Sequence, residues 1–177
     1  PLFRSTNINP QKGKELWKKA DAISPWDGTL SIAYNADSSD KQWIEAVLHQ
    51  LQDNLGVDAQ PQSYPTKKEL RTAAVDKTLP TPYQSGWAPD YPNIENYLTL
   101  RFSSDGGYNE YDYHNDNVDK ILAEGSAAPT TDDANAKYQE AEEILLNDLP
   151  QIPLWYQNIT AVGSKDIKKA AFTYNNY

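Results

Sequence analysis

An α/β fold, a mixed sheet flanked by helices, is predicted by three observations. Residues 29–34 alternate apolar and polar, the next apolar residues recur at three and four positions, and residues 57–62 are extended again. Helix start and stop signals recur along the rest of the chain, at Asn9-Pro10, Gly56, Thr66-x-x-Glu69, Thr130 and Pro150. No internal repeat or long linker interrupts the 177 residues, so residues 1–177 read as a single α/β unit.

Each element follows from local chemistry. Asn9 is a capping residue, and Pro10 suits the first turn because its missing N–H would find no helical acceptor there. That helix runs through Leu16, Trp17 and Ala20 and ends near Ile23, since Ser24-Pro25 disfavours helical backbone. Asp27-Gly28 predicts a turn into the first strand. Ser38 or Ser39 is expected to cap the next helix, whose inner face is Trp43, Ile44, Val47, Leu48, Leu51 and Leu55 and which Gly56 stops. Residues 29–62 are thus strand, helix and strand, which in a compact domain means parallel strands joined by a crossover.

Thr66 and Glu69 have capping-box spacing for a short helix ending near Asp76. Prolines then punctuate residues 79–92, leaving a short extended piece at 83–88. A helix is expected from Ile94 to Leu100, a polar loop from Ser103 to Asn115, and a further helix on Val118, Ile121 and Leu122. Thr130 or Thr131 caps a long helix with Ala134, Tyr138, Ala141, Leu145 and Leu149 inward. Residues 152–156 and 160–163 read as two short final strands.

Composition excludes several function classes. Twenty-five acidic side chains against sixteen basic ones give a net charge of −9, which argues against a nucleic-acid partner because phosphate binding needs clustered Lys and Arg. The absence of cysteine rules out disulfides, a thiol nucleophile and Cys-ligated metal centres. No apolar run approaches the ~18–20 residues of a membrane span, and Pro1-Leu2-Phe3-Arg4 has no signal-peptide pattern. With no methionine at all, the chain is expected to be part of a longer protein.

Two local concentrations carry the candidate chemistry. Six of the twelve tyrosines, Tyr83, Tyr91, Tyr97, Tyr108, Tyr111 and Tyr113, cluster with Trp87, and residues 89–148 hold 14 acidic against 3 basic side chains. Aromatic faces beside carboxylates suit ligands with apolar bodies and positive ends, or sugars that stack on rings; they also serve ordinary core edges and solvated helix faces. Catalytic patterns are absent. His49 and His114 have no nucleophile motif near them, and with so many acids any glycosidase-like carboxylate pair is unspecific. Residues 112–119 alternate Asp and Asn like a calcium loop but lack its glycine and terminal glutamate, and Gly106-Gly107 is a turn pair rather than a phosphate loop. Asn158-Ile159-Thr160 fits a glycosylation sequon that chance alone explains. No catalytic residue, no metal and no cofactor is expected.

At Gly86-Trp87-Ala88-Pro89-Asp90-Tyr91-Pro92, followed by Asn96-Tyr97-Leu98, the sequence resembles the family 5 extracellular solute-binding proteins that deliver peptides to ATP-binding-cassette importers. The run from Tyr113 through Asn115, Val118 and Asp119 to Leu122 is similar to a second family segment. Tyr138, Glu142, Asp148, Pro150 and Pro153 to Tyr156 follow the third, in the family's order.

The resemblance implies one lobe, the C-terminal one, of a type II periplasmic-binding-protein-like receptor whose two lobes close on a ligand. It implies a non-enzymatic function, with Gly86, Trp87, Ala88, Asp90 and Tyr91 as ligand-binding residues. In the family the backbone near Gly86 to Ala88 pairs with an extended peptide and the Asp90 position commonly holds its α-ammonium. The implied partners are a peptide, the transporter's permease subunits and the missing N-terminal lobe of the same chain, and the implied location is the periplasm or a cell-surface lipoprotein. The family often has proline where Ile94 stands, and no Lys or Arg lies between Lys77 and Arg101, so the resemblance assigns no group to the ligand's carboxyl end. An oligosaccharide receptor on the same scaffold is the alternative, and a carbohydrate-active enzyme the more distant one.

Overall fold

The computed structural model describes residues 8–26, 28–156 and 162–169. They form two compact units, the first ending at Gly86 and the second beginning at Trp87.

In the first unit, α1 spans Pro10–Ile23, and the Asn9 side chain accepts the Lys12 N–H at 2.9 Å, as the sequence predicts. Strand β1 (Leu30–Asn35), helix α2 (Lys41–Leu55) and strand β2 (Ala59–Tyr64) realise the expected strand–helix–strand unit. The strands pair in parallel with Leu30 opposite Ala59 and Asn35 opposite Tyr64. Tyr34, Ile44, Leu48 and Ala59 form the buried core, with Leu30, Ile32 and Trp43 packed on it. Ile44 and Leu48, fully buried on α2, each contribute about 1.5–3 kcal/mol of transfer free energy, which is what holds the helix on the strands. Gly56 ends α2 at φ 74°, a backbone that a side chain would strain.

Helix α3 (Lys67–Val75) is capped by Thr66, whose hydroxyl oxygen accepts the Glu69 N–H at 3.3 Å. Two details differ from expectation. The α2 cap position is Asp40, whose carboxylate accepts the Trp43 indole N–H at 2.9 Å, while Ser38 accepts the Asp40 N–H at 3.2 Å. The second strand begins two residues later than predicted, because pairing with β1 rather than the apolar Val57 sets its start.

The second unit is helical: α4 (Glu95–Phe102), α5 (Asp116–Ser126) and α6 (Thr131–Asp148). Leu98, Val118, Ile121, Leu122, Tyr138, Ala141 and Leu145 make one core, the apolar stripes that the periodicity predicts. Asn115 caps α5 through bonds to the Asn117 and Val118 N–H groups, and Thr130 caps α6 by accepting the Asp133 N–H. Leu149 is a correction: it takes the left-handed C-cap position at φ 49° and is 52% exposed rather than inward.

Among the described residues the sheet is parallel rather than mixed, and its only extension is a single bridge from Ala33 to Tyr83. Residues 152–156, expected as a strand, are irregular. The expected strand at 160–163 falls partly outside the described residues, as do the Asp27 turn and the Asn158 sequon. No described helix is long and apolar enough to cross a membrane.

Candidate functional site

The irregular segment that carries the expected site residues divides between the units, Gly86 ending the first and Trp87, Ala88, Asp90 and Tyr91 belonging to the second. Its first part is anchored by backbone: the Ala33 N–H donates to Pro82 O and the Gln84 N–H to Ala33 O, each at 2.8 Å. Beyond Tyr83 the ladder stops, so the extended piece expected over 83–88 is one bridge followed by coil. Gly86 is exposed at the end of the first unit, and a Cβ built on it would meet nothing within 4 Å. Ala88 and Asp90 are exposed as well, Trp87 is half-buried and Tyr91 is 42% exposed.

Within the second unit, Trp87 and Asp90 are brought together by a residue that sequence reasoning quoted but gave no role. Asn96, on the inner face of α4 and only 1% exposed, accepts the Trp87 indole N–H at 2.9 Å and the Asp90 backbone N–H at 3.1 Å on its Oδ1. Its Nδ2 donates to Asp90 Oδ2 at 3.3 Å. Both lone pairs of the amide oxygen and one of its two N–H groups are thereby used, which is what makes its burial tolerable. Asp90 therefore sits in a bend two residues beyond Ala88, tied to the start of α4, rather than at the end of a strand.

Arg101, one and a half turns further along α4 and 4% exposed, is the second residue the sequence left without a role. Its guanidinium carbon lies 5.7 Å from the Trp87 ring centroid and 5.4 Å from that of Tyr111, cation–π distances to both, and its Nη2 donates to Gln151 Oε1 at 3.4 Å. Tyr108 meets Trp87 edge-on at a centroid distance of 4.6 Å. Tyr108 is brought there by a turn in which its N–H donates to Leu100 O at 2.9 Å, and the turn needs Gly106: a Cβ there would fall 2.6 Å from the same carbonyl oxygen. The aromatic concentration seen in the sequence thus becomes a packed set around one buried cation. Its signal was available in part, since an Asn and an Arg at helix positions flanking Leu98 break an otherwise apolar inner face.

Other titratable groups are structural. The Tyr91 hydroxyl donates to the Glu95 carboxylate, whose hydrogen bond raises the phenol pKa. Tyr113 donates to Asp148 Oδ2 at 2.6 Å, and Asn115 Nδ2 donates to the same oxygen at 3.0 Å, joining the start of α5 to the end of α6. Burial first, and this bond second, push Tyr113 up to about 12. In the calcium-like stretch, His114, Asp116 and Asp119 bring ligand-type atoms within 4.8 Å of one another, with His114 and Asp116 exposed. Asp119 already accepts the Ser104 N–H at 2.8 Å, and acidic groups favour the first turn of α5 without any ion.

The chain is similar to known proteins over most of its length. The family model described as bacterial extracellular solute-binding proteins, family 5 Middle, matches residues 2–109. The periplasmic murein peptide-binding protein MppA of Escherichia coli strain K12 is 30% identical over 128 residues, covering 71% of this chain and 23% of MppA. The oligopeptide-binding protein OppA of Bacillus subtilis strain 168 is 24% identical over 142 residues, 78% of this chain and 25% of OppA. The solved structure of the Escherichia coli murein tripeptide binding protein MppA is similar with a TM-score of 0.71 and 26% identity, over 81% of this chain and 28% of that one. The α/β class of type II periplasmic binding proteins, expected from the resemblance, is the class of these structures. The chain spans about a quarter of the length of these relatives.

Proposed function

The chain belongs to the bacterial extracellular solute-binding proteins of family 5, and from that premise we propose that its residues 1–177 are one lobe of a two-lobed peptide receptor serving an ATP-binding-cassette importer. The receptor works outside the cytoplasm, in the periplasm or as a cell-surface lipoprotein, and hands its ligand to permease subunits after closing on it about a hinge. It binds without catalysis. Gly86, Trp87, Ala88, Asp90 and Tyr91 form this lobe's share of the ligand site. Asp90 takes the peptide's α-ammonium, Gly86 to Ala88 offer backbone to an extended ligand, and Trp87 walls the cleft.

The observation that carries this reading is the Asp90 arrangement. An exposed carboxylate, with its backbone N–H and one carboxylate oxygen bonded to a buried amide, keeps its negative charge in a set direction. A closing cleft lowers the dielectric around such a charge, and a ligand cation is then held far more strongly than in water. A backbone-lined groove accepts peptides whatever their side chains. The oligosaccharide reading needs an open aromatic face, yet the Trp87 ring has Arg101 over it and Tyr108 against it.

Calorimetric titration of the full-length protein with tri-alanine and with maltotriose tests the proposal. Saturable heat with the peptide and none with the saccharide is the expected result. Tighter binding of the saccharide, or turnover of either compound, would overturn it.

A further inference from the structure

Asn96 stands where a helix facing an apolar core would ordinarily carry a leucine or an alanine. Three groups converge on it: the Trp87 indole N–H, the Asp90 backbone N–H and the Asp90 carboxylate. The first two need an acceptor with two lone pairs and the third needs a donor. A neutral primary amide supplies both in one plane. An aspartate would accept twice but set a second negative oxygen against Asp90, and an apolar side chain would leave all three groups without this partner. The choice has an electrostatic consequence: Asn96 helps fix the direction of the Asp90 carboxylate through a neutral donor, where an arginine or lysine at the same position would bring a positive charge against it.

We infer that Asn96 is the positioning residue of the ligand site, and that by orienting Asp90 it sets the receptor's preference for ligands with a free amino terminus. This rests on the reading of Asp90 as the ammonium-binding group. Asn96 acts through Asp90 and is not itself a ligand contact. Trp87, bonded to the same oxygen, is held in register with Asp90, so the wall of the cleft and its charge move as one piece.

The test uses the full-length protein and two probes, tri-alanine and N-acetyl-tri-alanine, with the affinity ratio of the two as the readout. In the wild type the free amine should be preferred about thirty-fold or more. Asn96→Asp keeps the acceptor for Trp87 and for the Asp90 N–H but loses the donor. At pH 8 the ratio should fall about ten-fold, chiefly through weaker binding of the free-amine peptide. Two carboxylates this close share a proton as the pH drops, and the protonated Asp side chain then restores an O–H donor in place of the amide. The ratio should therefore recover near pH 5 toward the value that the wild type shows at the same pH. Asn96→Gln, with the amide displaced by one methylene, should lower the ratio at both pH values; it also serves if Asn96→Asp does not fold at pH 8.

A purely structural role for Asn96 would weaken both peptides alike and leave the ratio intact. An intact ratio in both variants at pH 8 overturns the inference, as does a ratio in Asn96→Asp that fails to recover near pH 5. A wild-type ratio near one would instead overturn the Asp90 reading on which it rests.

Discussion

Replacing Asp90 by asparagine is the cleanest perturbation of the proposed site, and the structure shows why it is better than alanine. The Asp90 carboxylate accepts a bond from Asn96 Nδ2, which is buried with the rest of that side chain. Asp90→Ala would strand this donor and cost about 1–3 kcal/mol of stability by itself, mixing folding with binding. Asp90→Asn keeps an acceptor oxygen for that donor and removes the charge. A carboxylate and an ammonium about 4 Å apart at an effective dielectric of ~20 interact by about 4 kcal/mol, and truncating one partner of a buried charged pair costs about 2–5 kcal/mol. Tri-alanine affinity, measured by calorimetry on the full-length protein at pH 7, should thus fall by about thirty-fold to a few thousand-fold. N-acetylation of the peptide should produce a similar loss on the wild type. The two losses should not add, because both delete the same interaction. Thermal stability without ligand should stay within about 0.5 kcal/mol of wild type, as for a surface substitution that keeps its hydrogen bond. Additive losses, or a change under about three-fold in either single step, would refute the pairing of Asp90 with a ligand ammonium.

Gly86→Ala separates fold from binding, since Gly86 has no positive φ and an added Cβ meets nothing within 4 Å. Stability should be unchanged or higher by up to about 1 kcal/mol, from reduced unfolded-state freedom, while tri-alanine affinity falls if a ligand strand lies on this backbone; unchanged affinity would remove Gly86 from the site. Tyr113 has its pKa raised to about 12, so the folded state holds this proton more tightly than the unfolded chain does. Its contribution is fully present below pH ~10 and is lost as the pH rises from there through 12, so the melting temperature of the wild type should drop more steeply over that window than that of Tyr113→Phe. Parallel curves would show that this hydroxyl does not titrate differently on folding. Glu142 is half-buried, with one carboxylate oxygen lacking a hydrogen-bond partner and its pKa raised first by burial. A raised folded pKa means that the ionised form weakens the fold above pH ~4.5, so Glu142→Gln should raise the melting temperature at pH 7 and leave it unchanged at pH 3.5. A lower melting temperature at pH 7 would mean that the carboxylate has a compensating partner.

What the sequence determined by itself is whatever its own neighbourhood decides. Asn9, Thr66, Asn115 and Thr130 cap the helices they precede, because a cap bond spans only two or three residues. Gly56 stops α2 because only glycine takes that backbone without strain, and the stripes on α2, α5 and α6 face their cores because helical spacing alone decides which side chains share a face. The Gly86 to Pro92 motif likewise pointed to the family that the match over residues 2–109 establishes. Tertiary structure decided everything that needs a partner. Residues 152–156 have a strand's composition, but a strand is a property of a ladder and not of composition, and these residues are irregular. The span of β2 follows its register with β1 rather than its own apolar residues. The roles of Asn96 and Arg101 could not be read from spacing, because an amide or a guanidinium can be buried only when groups brought from elsewhere satisfy it. Here those groups come from Trp87 and Asp90 for the one, and from Trp87, Tyr111 and Gln151 for the other.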